Sequence, residues 1–216
     1  MTFPKAERGI KIVFLAQISF MLASVFSTAS AIGNMINYYI YINFPEEELL
    51  LAPFLIIAIL AVIFLLAGFA LTIIGVLKAS GENENFKVAL YSILFGVALS
   101  IIGMIWSGDN AVGTITGLLT TLTSFLAIIY VIQGIRSLSL KLAKKEMDRT
   151  GSRLYTLFSV FYVIETCSNI AILIFNDNSS FIIVSLLQIF FNIMSVVQYL
   201  IFMMYLRKAI KMLAVN

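Results

Sequence analysis

Six long apolar stretches, separated by short polar segments, run along the chain. A helix needs about 20 predominantly apolar residues to cross a bilayer, and each stretch is of that order. The pattern predicts an all-α fold, a polytopic membrane helix bundle with six spans at about residues 10–36, 51–77, 88–106, 112–135, 154–175 and 181–206. Because the connectors are short, we expect consecutive helices to be antiparallel neighbours within a single integral membrane domain, residues 1–216.

The even-numbered spans end in similar sequences, which are Gly75-Val76-Leu77-Lys78-Ala79, Gly134-Ile135-Arg136-Ser137 and Leu206-Arg207-Lys208-Ala209. This similarity suggests three parallel helical hairpins of about 60–75 residues each, an internal symmetry that membrane folds often have. The alternative is that the inner end of any membrane helix carries lysine or arginine, without a repeat.

Small residues recur at helical spacing on three spans. They are Gly68, Thr72, Gly75 and Ala79 in the second span, Ser92, Gly96, Ser100, Gly103 and Ser107 in the third, and Gly113, Gly117, Thr120 and Ser124 in the fourth. Lipid tails are as apolar as leucine, so membrane helices associate through close backbone approach and polar contacts. We therefore expect these faces to turn inward and pack tightly. A pore lined by small hydroxyl side chains is the alternative.

Composition excludes several classes of protein. Of the 216 residues, 61% are apolar and 12% are charged, whereas about 25% are charged in an ordinary soluble domain. A soluble chain of this size cannot bury so much apolar surface, and a disordered chain would not leave it in water. The single cysteine, Cys167, excludes a disulfide scaffold. An integral membrane protein is the class that remains.

The basic residues predict the orientation. All 14 lysines and arginines fall in the N-terminal segment, the second and fourth connectors and the C-terminal tail, whereas the other connectors carry only acidic charges. The positive-inside rule then places both termini in the cytoplasm, with the plasma (inner) membrane as the location. In the first span, Ala29-Ser30-Ala31 resembles a signal-peptide cleavage site. The apolar run continues past Ala31, which favours a retained helix, and cleavage would leave five spans in the same orientation.

The residue types limit the chemistry. The chain has no histidine, which excludes serine–histidine proteolysis, bis-histidine haem ligation and histidine-dependent zinc sites. It also has no phosphate-cradling glycine loop, and we predict no cofactor, no metal and no nucleic-acid partner. We expect a non-enzymatic protein. A lipid-modifying enzyme would need carboxylates clustered at the inner interface, and the candidates for that are Glu82, Glu84, Glu146 and Asp148.

One ionisable residue, Glu165, lies near the middle of a predicted span. A charged carboxylate there is costly, so we expect it to face the protein interior. The predicted intramembrane polar site consists of Glu165 with Tyr162 and Asn169 on the fifth span, Gln188 and Asn192 on the sixth, and Gln17 on the first. Three interpretations stay open: a proton, cation or substrate site, a protonated carboxyl that bridges helices by hydrogen bonds, and a polar face that awaits a partner subunit.

The fourth connector, residues 136–153, carries six basic and two acidic residues. We expect this basic cytoplasmic loop to extend the fourth helix and then to lie on the inner leaflet. Its cations would contact anionic inner-leaflet lipids through Lys141, Lys144, Lys145 and Arg149. A simpler interpretation, in which the loop only determines topology, accounts for the same charges.

Two motifs resemble a pattern in uncharacterised six-span bacterial membrane proteins. One is Leu71–Ser80 followed by Glu84–Leu90, and the other is the closing segment Tyr205–Leu213. That resemblance implies no activity and no site residues. The sequence as a whole favours a binding or accessory component of the membrane, whose partners are the lipid bilayer and another membrane subunit or further copies of itself. The alternative is a small-solute or ion transporter or channel centred on Glu165.

Overall fold

The computed structural model describes residues 2–43, 51–105, 110–174 and 181–214, which are almost entirely helical and include no strand. The helices are α1 (Pro4–Asn43), α2 (Leu51–Ser80), α3 (Glu84–Ile105), α4 (Asn110–Lys141), α5 (Lys145–Ile174) and α6 (Phe181–Ala214). Each predicted span coincides with one helix, apart from the end residues Trp106 and Phe175, which lie outside the described residues. Ser107, the last of the predicted small residues on the third span, lies outside them as well. The all-α prediction is confirmed.

Over the described residues, five helices are long and apolar enough to cross a membrane. They are α1, α2, α3, α4 and α6. Helix α5 has 30 residues but is not among the five that meet this criterion over the described residues. A sixth span and the three-hairpin repeat therefore stay predictions.

The chain divides into two compact units. Unit 1 comprises Met1–Phe14, Leu71–Asn169 and Met204–Asn216, and unit 2 comprises Leu15–Ala70 and Ile170–Met203. All 14 basic residues belong to unit 1, whereas the described part of unit 2 contains no charged residue. The assignment of residues 1–216 to a single domain stays a prediction.

The centre of unit 1 is an apolar core at the ends of several helices. Ile10 of α1, Phe86 of α3, Ile132 of α4 and Leu206 of α6 are all almost completely buried. Phe86 packs where Gly134 leaves room, because a Cβ at Gly134 would lie 2.7 Å from the Phe86 Cζ atom. One large side chain thus fills the space that a glycine on the facing helix provides.

Helices α1 and α2 approach each other through glycine. A Cβ built on Gly9 would lie 2.8 Å from the Ala79 amide nitrogen and would also overlap the Gly75 carbonyl oxygen. A Cβ on Gly75 would lie 2.7 Å from the Gly9 carbonyl oxygen. The prediction that Gly75 and Ala79 mark a tight helix contact is therefore confirmed, and Gly9 is their counterpart on α1.

Helices α3 and α4 pack through glycine against threonine. Cβ atoms on Gly96 and Gly103 would lie 2.6 Å from the Thr123 hydroxyl and 2.7 Å from the Thr116 hydroxyl. The predicted inward face of α4 is wrong, because Gly113 and Gly117 are exposed and no described atom lies within 4 Å of a Cβ built on either. The glycines of α3 leave room for the threonine side chains of α4. The face of α4 that packs on α3 therefore carries threonines and not its own glycines.

The predicted loop over residues 136–153 is also wrong. Helix α4 does extend to Lys141, as expected, but α5 begins at Lys145, so only three residues connect the two helices. Ala143 has a φ of 56°, and the Lys144 amide donates to the Ser139 carbonyl at 2.8 Å. This Schellman turn satisfies the last carbonyls of α4 and leaves no segment free to lie along a leaflet.

Aromatic side chains pack the described part of unit 2. The Phe20 ring of α1 lies edge-on to Phe69 of α2, with 5.3 Å between the ring centroids, and stacks on Tyr199 of α6 at 5.9 Å. Phe20 also covers Gly68, where a Cβ would lie 2.8 Å from its ring. Gly68, the first of the predicted small residues on α2, thus provides room for an aromatic ring.

Candidate functional site

Helix α5 places Glu165 on its inward stripe. Gly151, Leu154, Phe158 and Glu165 recur at three-, four- and seven-residue intervals and so share one helix face. Leu154 and Phe158 are 7% and 5% exposed. The opposite face, which includes Val163 at 57% exposure, is apolar and exposed. The expectation that Glu165 turns toward the protein agrees with this pattern.

Glu165 itself is half-buried, and its carboxylate makes no hydrogen bond or ion pair with any described residue. It lies twelve residues beyond Arg153, the last basic residue before the apolar part of α5. At a rise of 1.5 Å per residue this is about 18 Å, which would be near the middle of a hydrocarbon layer about 30 Å thick if α5 spans a membrane as predicted. The described residues therefore provide no bridge from Glu165 to a neighbouring helix.

One turn earlier, Tyr162 stacks on Phe125 of α4. Their ring centroids are 4.4 Å apart and their planes are inclined by 17°. This contact holds α5 against α4 one turn from Glu165. Because the backbone of α5 is anchored there, the Glu165 side chain has a defined position on the helix surface.

Thr166 adds a second unpartnered polar group. Its hydroxyl oxygen is buried and has no hydrogen-bond partner among the described residues. A buried hydroxyl without a partner costs about 1–3 kcal/mol. Two consecutive polar side chains of α5 thus lack partners within the described chain, and only Glu165 was singled out by the sequence.

Two other predicted members of the polar site lie in unit 2. The side-chain amide of Asn192 on α6 donates to the Ser27 hydroxyl at 3.4 Å. The Asn192 backbone carbonyl accepts from the Ser24 hydroxyl at 3.1 Å. Gln17 is buried in α1 at 4% exposure. Asn192 therefore links α6 to α1.

Tyr162 and Glu165 belong to unit 1, whereas Gln17 and Asn192 belong to unit 2. The side chains of Asn169 and Gln188 lie outside the described residues. A single polar centre composed of all six residues consequently stays a prediction.

The predicted lipid-contact residues lie at and after the end of α4, and all four are exposed: Lys141, Lys144, Lys145 and Arg149. Arg136, by contrast, is half-buried and donates from Nε to the Asp148 carboxylate at 2.8 Å. Asp148, one of the carboxylates considered for a lipid-modifying enzyme, therefore has a structural partner.

Glu82 caps the N-terminus of α1. Its two carboxylate oxygens accept the backbone amides of Lys5 at 2.9 Å and Ala6 at 2.6 Å. Pro4, at the first helical position, has no amide to satisfy. The carboxylate complements the positive end of the helix dipole, and it fixes the α2–α3 turn against α1.

A polar cleft of about 430 Å³ lies beside this cap. It is lined by residues 80–85 of the α2–α3 turn, by Lys87, and by Ser137 and Lys141 at the end of α4. The Lys141 ammonium lies 6.0 Å from the centroid of the Phe3 ring. The sequence provided no signal for this cleft, because its lining comes from segments about 50 residues apart that only the fold brings together.

No protein-family model, curated protein or solved structure matches the chain.

Proposed function

We propose that this chain is a non-enzymatic, multi-pass component of a bacterial inner membrane, with both termini in the cytoplasm, that works by binding another membrane subunit. Glu165 is the contact residue in this proposal. The observation that carries it is the Glu165 carboxylate of α5, which is only half-buried and so still accessible, and for which the described chain provides no partner.

The energetic argument concerns the cost of leaving that carboxylate unpaired. An acidic side chain at the centre of a membrane helix costs about 3 kcal/mol on insertion scales. Folded proteins are stable by only about 5–15 kcal/mol, so this cost is a substantial fraction of the total. A hydrogen-bond donor or cation on a partner helix would offset it, because intramembrane ionisable groups usually pair with one another.

The second candidate is a small-solute or ion transporter or channel. The buried Thr166 hydroxyl favours it, because a hydroxyl without a protein partner is readily satisfied by water or by a polar solute. In that case Glu165 and Thr166 would both face a hydrated path.

Native mass spectrometry of the protein, extracted gently from its own membrane, tests the proposal. We expect a second protein at fixed stoichiometry with the wild type and its loss in Glu165→Gln. Val163→Gln is the matched control, because it places the same side chain on the exposed face of the same helix, and it should retain the partner. A wild-type protein that runs alone would contradict the proposal.

Ion or solute flux in liposomes tests the second candidate. A transporter would show flux with the wild type and with Val163→Gln, and that flux would fall in Glu165→Gln. Flux without a copurifying protein would replace the accessory role with transport.

A further inference from the structure

The geometry points to a binding site for a phosphate group in the cleft between the α2–α3 turn and the end of α4, with the ammonium groups of Lys87 and Lys141 as its main ligands. This site lies wholly within unit 1. It does not depend on the role proposed for Glu165.

Two lysines and two glutamates line the cleft, and they are not equally available to a ligand. The Glu82 carboxylate is already occupied by the Lys5 and Ala6 amides. Lys87 and Lys141 are exposed and form no ion pair with any described residue. The formal charges of the cleft therefore balance, but the Glu82 charge is partly offset by the positive end of the α1 dipole, so Glu84 is the carboxylate that opposes an anion beside Lys87 and Lys141.

The neutral side chains add a further donor. The Asn83 Oδ1 atom accepts the Asn85 backbone amide at 2.9 Å, which caps α3 and leaves the Asn83 side-chain NH₂ group for a ligand. The Ser80 hydroxyl, by contrast, donates to the Leu77 carbonyl at 2.7 Å and is occupied. The available hydrogen-bonding groups are therefore mostly donors, as an oxyanion requires.

Lysine position and cleft size also fit. The Lys141 ammonium lies over the Phe3 ring, a cation–π arrangement that restricts where the charge can lie. A cleft of about 430 Å³ exceeds the roughly 30 Å³ occupied by one water molecule more than tenfold. It has room for a phosphate together with the group esterified to it.

Two sources could supply this phosphate. The predicted topology places the ends of α2 and α4 and the start of α3 at the inner interface, where headgroups of anionic phospholipids are concentrated. A soluble phosphate compound of the cytoplasm would present the same chemistry. The proposal concerns the shared phosphate, and the experiment separates the sources.

Native mass spectrometry of the delipidated protein in a neutral detergent can count bound ligands. Phosphatidylglycerol, phosphatidylcholine and inorganic phosphate are the three probes. We expect one phosphatidylglycerol to bind preferentially over phosphatidylcholine, and the double variant Lys87→Gln/Lys141→Gln to weaken its binding about 30-fold. Lys208→Gln/Lys211→Gln is the matched control, because it removes the same charge from exposed positions outside the cleft.

A variant that is expected to strengthen lipid binding makes the test independent of any folding defect in the lysine variant. Glu84→Gln removes the remaining carboxylate, so it should tighten phosphatidylglycerol binding about fivefold. Competition by inorganic phosphate would identify a site open to soluble phosphates, whereas binding of the lipid without competition would identify a headgroup site.

Two outcomes would overturn the inference. Equal losses in the two lysine double variants would mean that the lipid is attracted by diffuse surface charge. Weaker binding in Glu84→Gln would mean that the cleft prefers a cation.

Discussion

The contact between α1 and α2 allows a quantitative prediction for Gly75→Ala. The added methyl carbon would lie 2.7 Å from the Gly9 carbonyl oxygen, 2.7 Å from Val13 Cγ2 and 2.9 Å from the Val13 amide nitrogen. Ordinary contacts of carbon atoms fall at about 3.5–4.0 Å. Two of the three opposing atoms belong to the α1 backbone, so no side-chain rotation can relieve the overlap, and the helices must separate by about 1 Å.

Overpacking of this kind costs about 1–3 kcal/mol. Alanine is also the better helix former by about 1 kcal/mol, which partly offsets the cost and complicates a comparison with wild type. Gly117→Ala removes this complication, because it makes the same change where no described atom lies within 4 Å of the new methyl group. The difference between the two variants then reports the overlap.

The measurement is the thermal unfolding of both variants in the same detergent, monitored as the loss of monodisperse protein after heating. For a chain of this size 1 kcal/mol corresponds to about 2–4 °C, so a difference of 2 kcal/mol corresponds to about 4–8 °C. We expect Gly75→Ala to unfold at the lower temperature. Equal midpoints for Gly75→Ala and Gly117→Ala would refute a close backbone contact between α1 and α2 at this position.

Three further substitutions are testable in the same assay. Glu82→Gln should lower stability by about 1–2 kcal/mol, because α1 loses a charged cap; an unchanged midpoint would mean that solvent replaces it. Ala143→Gly should raise stability by about 0.5–1 kcal/mol, since glycine adopts a φ of 56° without strain, and a lower midpoint would contradict the turn. Tyr205→Phe should be neutral or stabilising by about 1 kcal/mol, because no described group pairs with the buried hydroxyl; a clear loss would reveal a bound water or ligand there.

Local patterns in the sequence were sufficient to predict the helices. The predicted apolar stretches coincide with α1 to α6 over the described residues, because a helix satisfies its backbone hydrogen bonds within itself. The turn between α2 and α3 falls within the predicted polar connector, where Gly81 and Asn83 interrupt the apolar pattern. The turn after Lys141 was missed because Ala143 is not a residue that marks a helix end.

The faces of the helices were harder to predict. On α2, Gly75 does contact α1, but on α4 the glycines are exposed and Thr116 and Thr123 pack instead. A stripe of small residues permits a close approach without showing which neighbour uses it. Which face packs depends on the shape of the opposing helix, here the positions of Gly96 and Gly103 on α3.

The candidate sites also combine features that the sequence reveals with features that only the tertiary structure reveals. Glu165 is visible in the sequence because one acidic residue interrupts an apolar stretch, and hydrophobic periodicity alone places it on the stripe of Leu154 and Phe158. Only the structure shows that no described residue pairs with the Glu165 carboxylate. The role of Glu82 as a cap was invisible, because the amides it binds lie 76 and 77 residues away in the chain.

By itself, the sequence determined that the chain is helical, which stretches are apolar enough for a membrane, and where all the basic charges lie. These properties depend on residue type and local spacing, and each helix satisfies its own backbone whatever its neighbours are. Only the tertiary structure decided that Gly9 meets Gly75, that Glu82 caps α1, and that Lys87 and Lys141 share one cleft. Such contacts depend on the complementary shapes and charges of segments far apart in the chain, which no local pattern records.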